Sequence, residues 1–116
     1  MLDTIKYLET GSEKYPLAFT LNVMETIQEK YGSIEAWSKL IQRQGEPDIK
    51  ALKFFITEAI NEGIDIESEK TGEKRKSITP KKAGRILTEI GLKQATKAVA
   101  NVITDSIQSD NTSKNE

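Results

Sequence analysis

Residues 79–108 read TPKKAGRILTEIGLKQATKAVANVITDSIQ, and this stretch decides the fold. Thr79 followed by Pro80 is a cap and a first helical position: the hydroxyl can accept an orphan backbone N–H, and proline's missing N–H costs nothing there. Ala83, Ile86, Leu87 and Ile90 then recur at helical spacing as far as Gly91. Leu92, Ala95, Val99, Val102, Ile103, Ser106 and Ile107 carry the same period onward, with Lys93 and Lys97 on the other face. Two amphipathic helices joined at one glycine must be covered by further apolar helices, so the stretch predicts a helical bundle.

Working outward, the charged segment from Asp65 to Ser77 contains Thr71-Gly72 and reads as an exposed loop and internal hinge. Before it, Pro47 at a first helical position with Asp48 behind it opens a helix carrying Ile49, Leu52, Phe55, Ile56, Ala59 and Ile60, which Gly63 is expected to end. Ser33 caps a helix with Ile34, Trp37, Leu40 and Ile41, ending near Gln44-Gly45. Thr20 or Asn22 caps another, with Leu21, Met24, Ile27 and Tyr31, stopped by Gly32. Residues 1–19 differ in kind. Pro16 disfavours helix for the residue before it, and Tyr15, Leu17 and Phe19 alternate, so an extended arm or small β-hairpin closing over the helices is expected. After Gln108 there is no apolar residue, and residues 109–116 are expected to be a disordered tail. The fold class is therefore mostly all-α: a compact bundle of about five short helices in residues 20–108, with the N-terminal arm packed on it.

Composition narrows function. The chain has 116 residues with 36% apolar and 30% charged types, enough for one modest core. Lys plus Arg (17) and Asp plus Glu (18) nearly cancel, so no global field draws the chain to nucleic acid or to an acidic membrane. Cysteine and histidine are both absent, which removes disulfides, thiolate and imidazole metal sites, and Ser-His or Cys-His nucleophile pairs. A non-enzymatic protein without a cofactor or metal is expected. Met1–Tyr7 lacks a basic flank followed by an apolar run, and no stretch approaches bilayer length, so a cytoplasmic location is expected.

The remaining constellations have bland readings. Lys70, Lys74, Arg75, Lys76, Lys81, Lys82 and Arg85 form a basic cluster, but no aromatic residue is interleaved, and a solvated loop and helix face explains it. Ala83 to Thr96 has the outline of a helix-turn-helix presenting Lys93, Gln94 and Lys97, so a small DNA-binding regulator is the alternative function. The thick apolar stripe of its second helix suits a core or interface better than a DNA groove. Glu58 and Glu62, or Glu67 and Glu69, read as solvated carboxylates. Trp37 on an apolar stripe is more often a core anchor than a hot spot. Phe54 stands beside Phe55, and two adjacent helical residues cannot both point into one core, so Phe54 is either an exposed contact or the seat of the N-terminal arm. The candidate partner contacts are Trp37, Phe54, Val99, Ile103 and Ile107.

Tyr15-Pro16-Leu17-Ala18-Phe19-Thr20-Leu21-Asn22, leading to Glu29-Lys30-Tyr31-Gly32-Ser33-Ile34-Glu35-Ala36-Trp37, resembles the start of tail assembly chaperones from long-tailed bacteriophages and prophages of Gram-positive bacteria. Asp48–Phe55 running to Ala59-Ile60-Asn61-Glu62-Gly63, then Ile78-Thr79-Pro80, is similar to the family's later parts. The resemblance implies virion morphogenesis in the host bacterial cytoplasm: binding the tape-measure protein, and helping tail-tube protein assemble around it through a longer, frameshifted form. It implies absence from the mature virion, and it carries over no catalytic residues. Self-association is a further partner expectation.

Overall fold

The computed structural model describes the backbone of residues 5–115 and the side chains of residues 5–105. Strands β1 (Lys6–Glu9) and β2 (Lys14–Leu17) are followed by helices α1 (Leu21–Tyr31), α2 (Ile34–Ile41), α3 (Ile49–Thr71), α4 (Pro80–Ile90) and α5 (Leu92–Asn115). Five helices under an N-terminal antiparallel hairpin make up the described chain, with no helix long and apolar enough to cross a membrane.

Four helix starts follow one local rule. The side chains of Thr20, Ser33, Asp48 and Thr79 each accept the backbone N–H three residues on, from Val23, Ala36, Ala51 and Lys82. Thr20, not Asn22, is the first cap, and Asp48 caps α3 from outside the helix, leaving Pro47 before it.

The expected stop at Gly63 is wrong. Helix α3 runs through it for 23 residues, and Gly63 is buried where β2 crosses. A β-carbon there would stand 2.7 Å from the Pro16 carbonyl oxygen and 2.9 Å from its carbon, so the glycine serves close packing and not termination. Beyond it Ile64 is buried and Glu67 receives the Tyr7 hydroxyl, which gives the extra turns something to hold. The helix stops at Gly72, whose φ of 81° is the left-handed conformation that ends helices. The expected hinge from Asp65 to Ser77 therefore shrinks to residues 73–79. With 23 and 24 residues, α3 and α5 are not short, and the helical backbone of α5 crosses the segment expected to be a tail as far as Asn115.

Phe55 is the hub of the core. Its ring meets Trp37 at 4.8 Å, stacked, and Phe19 at 5.6 Å, tilted, so α2 and the end of the N-terminal arm are fastened to α3 through one side chain. Full burial of side chains of this size contributes about 1.5–3 kcal/mol each, and Ile27, Leu52, Ile56, Ile60 and Val99 are equally enclosed. The hairpin is pinned from several directions. Lys6 lies opposite Leu17, Tyr7 opposite Pro16, Leu8 opposite Tyr15 and Glu9 opposite Lys14. The Ala18 N–H donates to the Ala59 carbonyl of α3 (3.1 Å), the Gly11 N–H to Glu89 of α4 (3.2 Å), and Lys6 pairs with Asp105 of α5 (2.9 Å).

Candidate partner-binding groove

Helix α2 is amphipathic with Trp37 and Ile41 inward. Trp37 is wholly buried, stacks on Phe55 and donates its indole N–H to the Ala51 carbonyl (3.2 Å). That bond fixes the rotation of α2 on α3, because an indole N–H enclosed in apolar surroundings must find an acceptor. With Trp37 turned in, the neighbouring row Ile34, Ser38 and Gln42, one helical turn apart, lies beside the buried stripe and shares a groove with α5.

Between that row and Ile103 of α5 lies a groove of about 600 Å³. Ile34 is half-buried, and Ile103 is buried by the bundle but contributes to the groove wall. Glu35, Lys39 and Arg43 form the outer rim. Glu35 and Lys39 approach only to 4.0 Å with both side chains highly exposed, and Arg43 donates to the Glu46 carbonyl (2.8 Å). The groove thus has an apolar floor, two amide and hydroxyl groups, and a rim with one more cation than anion. That suits a short helical or extended peptide segment presenting apolar side chains.

The sequence-derived contacts fare differently. Trp37 and Val99 have no exposed surface and are core residues. Ile103 lines the groove, while the side chain of Ile107 lies outside the described residues. Phe54 is neither a free contact nor the seat of the arm. It is half-buried against α1, with Tyr31 edge-on at 5.7 Å and the Lys30 ammonium 4.6 Å above its ring, while the arm's Phe19 packs on Phe55 instead. Sequence reasoning missed Ser38, Lys39, Gln42 and Arg43 and took Ile34 as core. Their only signal is a mixed row beside the apolar stripe of α2.

The basic cluster is divided. Arg75 donates to the Lys14 carbonyl (3.0 Å), pairs with Glu13 (3.4 Å) and covers the Tyr15 ring (4.9 Å), so it straps the hairpin. The Glu13 carboxyl is held below its ordinary value by the Tyr15 hydroxyl first, then by the charges of Arg75 and Lys82. The Tyr7 phenol is pushed up by its hydrogen bond to Glu67, with desolvation and the charge of Glu67 adding to it. Glu62 accepts from the Thr20 hydroxyl (2.5 Å) and the Asn22 amide (3.1 Å). Among the described residues no group of three carboxylates is placed to hold a metal. In the helix-turn-helix outline, Lys93, Gln94 and Lys97 are exposed while Ala95 and Val99 are buried in the bundle. No protein-family model, curated protein or solved structure matches the chain.

Proposed function

We propose that this chain is a non-catalytic assembly chaperone that binds helical segments of a long client, the tape-measure protein of a phage tail, and helps tail-tube protein assemble around it. The single observation that carries the protein-binding part is the groove between α2 and α5, with Ile34 and Ile103 in its walls. A long helical client exposes apolar stripes that need covering while it waits for its partners, and a groove of this kind covers one or two turns at a time. Weak contacts repeated by many chaperone copies along one client add up through multivalency. The particular client rests on the sequence resemblance. Absence of cysteine and histidine fits a role without catalysis.

Co-expression with a tape-measure protein tests the reading. The wild-type chain is expected to raise client solubility and to co-elute with it on gel filtration. Ile34→Glu, at a half-exposed position, is expected to keep the fold by circular dichroism and lose the complex. An insoluble client with wild type, or an Ile34→Glu complex of undiminished yield, overturns the proposal.

A further inference from the structure

The groove between α2 and α5 offers a partner little backbone. Past the first turn of α2 the peptide groups are spent inside the helix, and at Ile103 they are spent inside α5. The far end is taken as well. The Ser38 carbonyl accepts from the Gln42 N–H (2.9 Å), the Leu40 carbonyl from the Asp48 N–H (3.0 Å), and the Glu46 carbonyl from the Arg43 Nε (2.8 Å). Neither strand of the hairpin lines the groove, so no sheet edge is at hand. An extended segment laid here would cover its own N–H and C=O groups with nothing to pair them. A helix brings its backbone partners with it, and only its side chains have to match.

The side chains along the groove are ordered by sign. Glu35 lies in the first turn of α2, Lys39 in its last, and Arg43 just beyond the end, all three exposed and all lining the one groove. The rim therefore runs from an anion to two cations in the direction of the chain. Glu35 and Lys39 come no nearer than 4.0 Å, with their side chains 81% and 78% exposed, so each stays largely open to a third charge. Arg43 is steadied through its Nε, and among the described residues its two Nη groups have no partner. Inside this rim, half-buried Ile34 and the wall residue Ile103 are apolar, and Ser38 is small and half-buried.

We infer that the groove takes an amphipathic helix with an acidic first turn, lying antiparallel to α2. The inference rests on the reading of this groove as a client site, and it names the chemistry and direction of the segment bound there. Carboxylates are favoured in the first turn of any helix, and cations in the last, by the helix dipole. Laid antiparallel, such a helix sets its acidic first turn beside Lys39 and Arg43 and its last turn beside Glu35, so both ends meet opposite charge. Laid parallel, the same helix would set carboxylates on Glu35 and cations on Arg43. The two dipoles also oppose each other only in the antiparallel arrangement. The row from Ile34 to Gln42 rises about 12 Å, so about two turns are held, with apolar residues at helical spacing against Ile34 and Ile103.

Two synthetic peptides of one composition test it, each with an apolar helical stripe and a side-chain cross-link that holds it helical. One carries a Glu pair in its first turn and a Lys pair in its last; the other has the pairs exchanged. By fluorescence anisotropy wild type is expected to bind the first at least about threefold more tightly. A nitroxide on the N-terminus of that peptide is expected to broaden the amide signals of Gln42 and Arg43 more than that of Ile34. E35K/K39E/R43E is expected to prefer the second peptide, and the neutral pair K39Q/R43Q to narrow the preference with circular dichroism unchanged, which covers any misfolding of the reversal. Equal binding of the two peptides by wild type, a preference that no rim variant moves, or undiminished affinity for the first sequence made without the cross-link and with a central proline overturns the inference and leaves the groove reading standing. So does a wild type that sediments alone as a dimer and is dissociated by I34E, which makes a second copy the occupant. Binding of neither peptide, or undiminished binding by I34E, overturns the groove reading and this inference with it.

Discussion

The two flanks of the bundle are finished to different standards. Where the hairpin crosses α3, backbone meets backbone: the Pro16 carbonyl sits on Gly63, and the Ala18 N–H reaches the Ala59 carbonyl. Polar ties from Tyr7, Gly11 and Lys6 then fasten the hairpin to α3, α4 and α5, and Arg75 holds it from the segment between α3 and α4. Between α2 and α5, by contrast, side chains meet across a gap, and a groove of about 600 Å³ is left. Close packing of this kind confers rigidity, and a gap of that size forgoes dispersion contacts that another chain can supply. One flank holds the shape, and the other carries the groove on which the proposed partner binding rests.

Breaking each flank in turn sharpens this contrast. The largest effect is expected from Trp37→Ala, which empties the core beneath α2 and removes the bond to Ala51. A loss of about 3–5 kcal/mol in urea unfolding is expected, together with loss of client binding, because the groove wall is no longer oriented. Gly63→Ala strikes the opposite flank. The new methyl meets backbone that cannot rotate away, so a loss of about 1–3 kcal/mol is expected, with client binding by the folded fraction unchanged. Ser33→Ala removes the cap of α2 and is expected to cost about 1 kcal/mol. Hydrogen exchange should localise that change to α2, sparing the Ala18 amide.

The smallest effect is expected from Tyr7→Phe, read as a function of pH. The folded phenol titrates above its ordinary value of about 10 because Glu67 favours its neutral form. Its contribution is therefore complete below that value and is lost as pH rises through the higher folded one. The stability difference between wild type and Tyr7→Phe should shrink above pH 10, and a difference that stays constant there would contradict the assignment.

What could be read from the sequence was what local chemistry decides. The caps at Ser33 and Thr79 are side chains satisfying their own backbone, and the stops at Gly32 and Gly91 are left to glycine, so neither depends on the rest of the chain; the start of α3 was read two residues early, at Pro47, where Asp48 is the cap. Gly63 was misread because the reason for it sits 47 positions away in Pro16, and a helix breaker by propensity became a packing site by contact. Propensity against a glycine is worth only about 1 kcal/mol, and the burial of Ile64 and the seat for Tyr7 outweigh it. The groove was hidden for the opposite reason. Ile34, Ser38 and Gln42 carry no common hydrophobic signal, and only the rotation fixed by Trp37 tells which way they face. Phe54 shows the same limit: its neighbour Phe55 was legible as core, but Lys30 and Tyr31 as its cover were not.

The hairpin has a further consequence for how the chain is made. Its two strands emerge from a ribosome ahead of the helices, and their anchors at Glu67, Glu89 and Asp105 follow 60 to roughly 100 residues later. Helices α1 and α2, whose caps and mutual contacts are local, can form well before those anchors exist. During synthesis the hydrophobic strand Tyr15–Leu17 must therefore wait without its seat on α3, and the nascent polypeptide itself passes through the kind of exposed, uncovered state that a chaperone exists to shield.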